Sequence, residues 1–186
     1  MQKQNSFSKA RLRDGLSYGG DLRQKRAGRN ARPLSKHHPL HLVFKANIRA
    51  VPGGLRHPRN FQLISRVVKQ YAKRFLVKVE SASIQRDHLH VMIRCSKRSL
   101  YQSFFKVVAG QIAQRMTGTS HRTYGGPRIW KHRPFTRVVK GRRAERILRD
   151  YIKLNELEAR GEIPYQKHRL RGLDPEQIQK LRLMPD

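Results

Sequence analysis

The spacing of apolar residues changes along the chain in a fixed order, and this order limits the folds that the chain can adopt. Strand-like runs, rich in β-branched and aromatic residues, lie at 41–48, 76–84, 88–95 and 128–139. Apolar residues instead recur at helical intervals over 60–75 and 100–116. The resulting order β-α-β-β-α-β predicts an α+β domain of the ferredoxin-like (RRM-like) type, an antiparallel sheet with both helices on one face.

Local signals refine the limits of these elements. Asn60 is a plausible N-cap of the first helix, and Gly118 is a stop signal for the second. Pro134 lies within the last strand, which predicts that this strand is at an edge of the sheet. A third helix is predicted over 142–160 and a short last helix over 174–183. The sheet face opposite the first two helices is expected to be free to meet a ligand.

Charge is the strongest compositional signal. The chain carries 42 Lys and Arg against 12 Asp and Glu, a formal net charge of +30. Such an excess favours a polyanionic partner, with nucleic acid first and an anionic membrane surface second. No apolar run approaches the roughly 18 residues of a spanning helix, and no signal-type hydrophobic region follows the polar start. The single cysteine, Cys95, rules out an internal disulfide framework and a cysteine-based zinc site, so we expect a reducing, cytoplasmic setting.

Composition divides the chain into three segments. Residues 1–36 are basic, contain Gly and Ser and have few apolar side chains, which predicts a flexible arm that tracks phosphates or only aids solubility. Residues 37–162 contain all the long predicted elements and form the single expected domain. Residues 163–186 are a basic tail that contains only the short last helix.

Two histidines lie two residues apart in the third predicted strand. His88 and His90 project from one face of the strand, while Leu89, Val91 and Ile93 enter the other. Two neutral imidazoles at this spacing can share one divalent metal ion. Such pairs are also common on solvated strand faces, so the motif alone leaves both interpretations open.

A tyrosine and an amide share one face of the third predicted helix. Tyr151 and Asn155 are four residues apart, which is about one helical turn. A tyrosine in an amphipathic helix is usually a core residue with its hydroxyl at the rim, and an asparagine is usually an ordinary polar residue. The pair therefore acquires a chemical meaning only from its context.

The chain resembles the single-tyrosine HUH transposases, a class that includes the REP-associated tyrosine transposases of bacteria. Four segments carry the resemblance in the family's order, namely the first strand, the His-hydrophobic-His strand, an aromatic and basic segment and the nucleophile helix: 41–46, 87–93, 129–135 and 146–155. The likeness covers roughly residues 38–160. Many relatives follow the helix Asn with Pro, whereas here Glu156 continues the helical pattern.

The resemblance implies a site and a reaction. His88 and His90 would bind Mg²⁺ or Mn²⁺, with the side-chain oxygen of Asn155 as a third ligand. Tyr151 would be the nucleophile that cleaves single-stranded DNA and remains linked to it as a 5′-phosphotyrosine, leaving a 3′-hydroxyl for rejoining. The implied substrate is an imperfect hairpin with adjacent single strand, and the implied protein is a nucleoid-associated bacterial monomer or homodimer.

A basic segment before the nucleophile helix suggests how DNA is held. The DNA-binding residues predicted there are Arg128, Trp130, Lys131, Arg133, Arg137, Arg142 and Arg143. Trp130, Tyr124 and Phe135 can stack on bases, although Trp130 can equally be packed between helix and sheet. The cations can also be no more than a solvated positive face.

Three alternatives remain open from the sequence. An RNA-binding or ribosome-associated protein would explain the charge and the sheet, but would leave the histidine strand and the Tyr151/Asn155 pair as coincidences. A replication initiator or relaxase shares the metal chemistry, but relaxases generally have longer chains and a third histidine in their signature. A domesticated family member would bind a genomic repeat without moving it.

Overall fold

The computed structural model describes residues 15–20, 31–118, 128–165 and 179. Its strands are β1 (Ser17–Tyr18), β2 (Leu40–Lys45), β3 (Lys78–Ile84), β4 (His88–Arg94) and β5 (Phe135–Val138). Its α-helices are α1 (Pro58–Arg74), α2 (Arg98–Thr117) and α3 (Arg142–Arg160). Within these described residues no helix is both long and apolar enough to cross a membrane.

The five strands form one sheet in the order β1-β5-β2-β4-β3, and every neighbouring pair is antiparallel. Without β1, this is the ferredoxin-like order, in which the first strand lies between the last and the third. The central pairing of β2 with β4 places Val43 opposite His90 and Lys45 opposite His88. The predicted fold class is therefore confirmed.

The two faces of the sheet have different cover. Leu89, Val91 and Ile93 of β4 enter the main core with residues of α1 and α2. On the other face, Met92 packs against Ile152 of α3 within a smaller apolar cluster. We expected this second face to be free. The expectation is wrong for the part near β3 and β4, because the amphipathic helix α3 buries its own apolar stripe there.

The ends of the helices follow local chemistry. Gly118 and Gly161 end α2 and α3 at φ 66° and 75°, a left-handed conformation that glycine adopts without strain. The start of α1 differs from the prediction: His57 is the N-cap and Pro58 the first helical residue, a position that suits its fixed φ. Asn60 is inside the helix, where its side chain donates to the carbonyl oxygen of Gly54 at 2.8 Å.

Part of the predicted N-terminal arm belongs to the domain. Ser17 and Tyr18 form β1, which pairs with β5. Arg32 Nη1 donates to Pro134 O at 2.9 Å and Thr136 Oγ1 at 3.0 Å, and its guanidinium lies 4.7 Å from the Tyr18 ring. Burial lowers the pKa of Arg32 to about 10. The flexible-arm prediction is thus wrong for these residues.

The last strand is shorter than predicted and is not at the edge. Only Phe135–Val138 forms β5, and Trp130 makes an isolated bridge with Ala46. Pro134 precedes the strand, so it removes no hydrogen bond from within it. β1 occupies the edge instead. Tyr124 lies outside the described residues, and so does the predicted helix over 174–183 apart from residue 179.

Candidate active site

The two histidines of β4 lie on the sheet face that α3 partly covers. Their rings are edge to face, with centroids 4.5 Å apart. His88 Nδ1 lies 2.5 Å from Asp87 Oδ1, so this ring nitrogen is held by the preceding carboxylate. His90 is buried, with 5% of its surface exposed, and its Nε2 is also buried. Of the predicted pair, His90 is therefore shielded from solvent, whereas His88 is nearer to it.

A third histidine, from β2, contacts this pair. His41 Nε2 lies 3.0 Å from His90 Nδ1, and the two rings are nearly parallel with centroids 5.2 Å apart. The sequence interpretation used His41 only as part of the first strand and did not assign it to the site. Strand alternation places His41 on the same face as Val43, and the β2–β4 pairing of the ferredoxin-like order brings that face beside His90. The predicted pairing of these two strands could therefore have assigned His41 to the site.

Helix α3 brings the tyrosine to the histidines. Leu148 and Ile152 pack against Met92 and fix which side of the helix meets the sheet. Tyr151 is half-buried at the border of this cluster. Its ring centroid is 5.4 Å from that of His90, and the two rings are nearly perpendicular. The structure thus brings together the predicted nucleophile and one predicted metal ligand, although they are distant in sequence.

Asn155 lies one turn further along α3, beside the start of β4. Its backbone oxygen accepts a 2.6 Å hydrogen bond from Gln85 Nε2, and the Gln85 N–H donates to His88 O. The Asn155 side chain is buried, and Nδ2 donates to Tyr151 O at 2.8 Å. This bond fixes the amide, so that Oδ1 is its remaining polar atom.

The donor atoms can be compared with those that a divalent cation requires. Within the described residues, no group of three or more His, Cys, Asp or Glu side chains is arranged to hold a metal ion. The predicted set differs because Asn155 is its third member. Asn155 Oδ1 is buried, and no described residue donates a hydrogen bond to it. Burying an oxygen in this way costs free energy, and a bound cation would offset that cost. Two imidazole nitrogens and this oxygen fit a catalytic divalent ion in kind.

An ion-pair cluster holds the first half of α3 on the sheet. Arg94 of β4 donates to Glu80 of β3 at 2.5 Å and to Glu145 of α3 at 2.6 Å. Arg149 of α3 lies 3.7 Å from the same Glu80. Burial opposes the charge of Arg94, but hydrogen bonds and the charges of the two glutamates outweigh it and raise the pKa of Arg94. We call this group the Arg94 cluster.

A second cluster holds the other end of the helix. Glu156 accepts two hydrogen bonds from Arg56 Nη1, at 2.8 and 2.9 Å, and one from Ser83 Oγ at 3.2 Å. Arg160 donates to the same carboxylate at 3.1 Å. Glu156, which follows the predicted ligand Asn155, is therefore a buried anchor, and the helix continues through it. We call this group the Glu156 cluster.

Most of the predicted DNA-binding cations are on the surface. Five of them are exposed, namely Arg128, Lys131, Arg133, Arg142 and Arg143. None of these five forms an ion pair with another described residue. Arg137 is half-buried in β5, directly opposite His41 in β2. The charge of the five exposed residues is not neutralised by carboxylates of the described chain, so it is available to a polyanion.

Trp130 has a different position from the rest of this set. Its indole N–H donates to Ala109 O of α2 at 2.8 Å, and its ring lies 5.3 Å from that of Phe44. This is the packed arrangement between helix and sheet, because both the polar atom and one ring face are already engaged. We therefore remove Trp130 from the DNA-binding residues. Phe135 is half-buried near His41, with ring centroids 6.3 Å apart.

The fold and the site together define a ferredoxin-like domain in which a His-x-His strand meets a tyrosine helix of the same chain. The family model described as "Transposase IS200 like" matches residues 35–155. This match covers more than half of the 186 residues, and the chain belongs to that family. It is accordingly a transposase, an enzyme that cleaves DNA and transfers strands.

One solved structure has a similar architecture. The chain is similar to a structure described as the REP-associated tyrosine transposase bound to a REP hairpin, at 14% identity and a TM-score of 0.56, over 71% of this chain and 74% of that chain. A second similar structure is a Deinococcus radiodurans R1 protein provisionally described as a transposase, at 13% identity, over 69% of this chain and 98% of that chain. Its TM-score of 0.43 is too low to bear on the fold. No curated protein matches the chain significantly.

Proposed function

We propose that this transposase is a metal-dependent HUH enzyme that cleaves and rejoins single-stranded DNA through a covalent 5′-phosphotyrosine intermediate. The observation that carries the proposal is the contact between Tyr151 and the histidine strand, with ring centroids 5.4 Å apart for Tyr151 and His90. A tyrosine that served only packing would have no reason to contact two imidazoles, those of His41 and His90. An RNA-binding role leaves this arrangement unexplained.

Three side chains would hold the ion, which we propose to be Mg²⁺ or Mn²⁺. His88 has Nε2 available, because Asp87 holds its Nδ1. His90 would bind through its buried Nε2, and Asn155 through its buried Oδ1. When bound, the ion supplies Lewis-acid polarisation of the scissile phosphate. Solvent and the phosphate itself would complete the coordination.

The tyrosine carries the covalent step. Tyr151 Oη forms a bond to phosphorus, the bond from phosphorus to the 3′ oxygen breaks, and that oxygen leaves as a 3′-hydroxyl after taking up a proton. The phenolic proton passes to solvent. Because one phosphate ester replaces another, the 3′-hydroxyl of the same or another strand can reverse the reaction without a nucleotide cofactor.

The substrate that fits is a DNA hairpin with an adjacent single strand. The similar solved structure is described as holding a REP hairpin, and the exposed cations Arg128, Lys131 and Arg133 precede the strand that flanks the site. Phosphate contacts of this kind position a nucleic acid without reading its sequence. We propose that a hairpin stem is held in this way, so that a neighbouring single strand reaches Tyr151.

The tyrosine is proposed to act on DNA held by its own chain. The Arg94 cluster and the Glu156 cluster fix both ends of α3 to β3, β4 and Arg56 of the same chain. Exchange of the helix between two copies would first have to break both clusters and the apolar contact of Ile152 with Met92 before they could form again between chains. The arrangement therefore supports a site completed within one monomer.

The first experiment incubates the full-length protein with a hairpin oligonucleotide that carries single-stranded flanks, in the presence of Mn²⁺. We expect a protein–DNA adduct that survives denaturation, with label attached to the 3′ side of the cut retained on the protein. Label on the 5′ side should leave as a fragment that ends in a 3′-hydroxyl. Excess chelator should abolish the adduct. No adduct on any hairpin, or equal adduct in chelator, would contradict the proposed function.

A second prediction concerns the exposed cations. Replacing Lys131 and Arg133 with Gln should weaken binding of the hairpin oligonucleotide and reduce the magnitude of the slope of log K against log salt by about 0.9 for each lost contact with a phosphate of the duplex stem. The matched control replaces Lys69 and Lys73 with Gln, two exposed lysines on α1 at the opposite face of the sheet. Binding measured by fluorescence anisotropy at several salt concentrations should separate the pairs, and equal slopes for both would refute the assignment.

A further inference from the structure

Each histidine of the proposed site has a partner for its Nδ1 atom. For His88 this partner is the carboxylate of Asp87. For His90 it is the imidazole of His41, whose Nε2 lies 3.0 Å from His90 Nδ1. The planes of the two rings are within 21° of parallel, with centroids 5.2 Å apart. His41 thus holds one edge of the His90 ring, while His90 Nε2 is at the other, buried edge.

The chemistry of neutral imidazole makes the direction of this hydrogen bond decisive. A neutral ring carries one N–H proton, and only the other nitrogen has a lone pair for a metal ion. With its Nδ1 next to His41, His90 can bind a metal only through Nε2, so its proton must be on Nδ1. If His41 Nε2 were the donor instead, the proton of His90 would be on Nε2 and would block the ligand.

We infer that His41 is a positioning residue that accepts the Nδ1–H of His90 and thereby holds His90 in the tautomer whose Nε2 can bind a divalent cation. His41 itself then carries its proton on Nδ1. This inference rests on the proposed function, because it assigns His90 as a ligand. The same ring lies 6.3 Å from the Tyr151 ring, so His41 borders the nucleophile as well as the ligand.

The shape of the surrounding site fixes the ring of His41. Phe135 of β5 meets it edge to face at 6.3 Å, and Tyr151 of α3 does so from another side. Backbone pairing sets its place, opposite Met92 in β4 and Arg137 in β5. A ring held between three elements can orient a partner at little entropic cost, as outer partners of metal-binding histidines generally do.

The first test measures the tautomers in the full-length protein without added metal. Long-range ¹⁵N–¹H correlation spectra of the imidazoles distinguish Nδ1–H from Nε2–H rings, and spectra of His41→Gln and His90→Ala assign the signals. We expect the proton of His90 on Nδ1 and that of His41 also on Nδ1. A wild-type His90 with its proton on Nε2 would overturn the inference, whatever the outcome of the DNA-cleavage assay.

The second test compares two variants at the same position by Mn²⁺ binding, followed by the electron paramagnetic resonance signal of free Mn²⁺ without DNA. His41→Phe keeps a ring but has no acceptor, and should lower Mn²⁺ affinity about 10- to 100-fold, the usual range for an outer partner of a ligand. His41→Gln keeps an acceptor oxygen and should stay within a few-fold of wild type. Unfolding curves in urea confirm that both variants are folded.

The outcomes separate the two claims. Equal Mn²⁺ affinity of wild type and His41→Phe, with binding lost in His88→Ala, would overturn the role of His41 and leave the proposed function intact. Equal losses in His41→Phe and His41→Gln would also overturn it, because the shape of His41 and not its acceptor would matter. A wild-type protein without Mn²⁺ binding or adduct would contradict the proposed function, and the tautomer spectra would still decide the hydrogen bond.

Discussion

Tyr151→Phe is expected to lower formation of the covalent protein–DNA adduct by at least about three orders of magnitude, because the substitution removes the atom that is proposed to bond to phosphorus. The ring that packs beside His90 remains, and so do the apolar contacts of the neighbouring Ile152. DNA affinity should therefore change by no more than about twofold. The measurement is a denaturing gel of end-labelled hairpin oligonucleotide, combined with anisotropy for binding.

The matched control is Tyr165→Phe. Tyr165 is the most exposed tyrosine among the described residues, at 74%, and lies just beyond α3. Its variant should form the adduct at the wild-type rate. A Tyr151→Phe protein that still forms the adduct would show that another residue is the nucleophile. Loss of the adduct in Tyr165→Phe would then point to Tyr165.

His88→Ala should reduce Mn²⁺-dependent cleavage by at least about 100-fold, the upper end of the range for loss of an outer partner, since His88 is proposed to bind the ion directly. His88 is chosen over His90 because 30% of its side chain is exposed, so its replacement leaves a smaller cavity. Initial cleavage rates across a Mn²⁺ titration provide the measurement. The control is His37→Ala, an exposed histidine outside the helices and strands.

The same variant tests whether a site is completed within one chain. Mixing His88→Ala with Tyr151→Phe gives chains that lack different halves of the site. If the tyrosine acts beside its own histidines, the mixture should form no more adduct than the separate variants. Recovery of the adduct would show that α3 of one copy serves the histidines of another, despite the Arg94 and Glu156 clusters.

Much of the fold could be predicted from local sequence patterns. The apolar periods predicted the order of the strands and helices, and α3 begins and ends where its spacing and Gly161 predicted. The resemblance to single-tyrosine transposases, drawn from four short segments, is confirmed by the family match over 35–155. The i, i+4 spacing placed Tyr151 and Asn155 on one side of a helix. Their chemical roles, and those of His88 and His90, stay predictions.

What escaped the sequence interpretation depends on pairing between distant residues. Ser17 and Tyr18 lie in a stretch with the composition of a tail, and only pairing with β5 makes them a strand. Arg32 belongs to the arm that was predicted to track phosphates, but its guanidinium packs over the rings of Tyr18 and Phe105. His41 became visible at the site only once the register of β2 against β4 was known. Local periodicity contains none of this information.

The role of Glu156 also could not be predicted from the sequence, because it depends on distant residues. In the sequence it marked a departure from relatives that have Pro after the helix Asn, and no role followed from that difference. Its partners Arg56 and Ser83 come from distant segments, and only the folded chain brings them to it. An anchor at this position explains why the helix continues through Glu156 to Arg160.

The placement of carboxylates in this very basic chain separates two responses to ionic strength. Glu80, Glu145 and Glu156 hold α3, and their side chains are only 9%, 20% and 10% exposed, so dissolved ions screen them weakly. The cations that would meet DNA are exposed and are screened strongly. As salt rises, DNA is therefore expected to dissociate well before the tyrosine helix loosens. A protein freed of DNA in this way should keep Tyr151 beside the histidines and should bind DNA again when the salt is diluted.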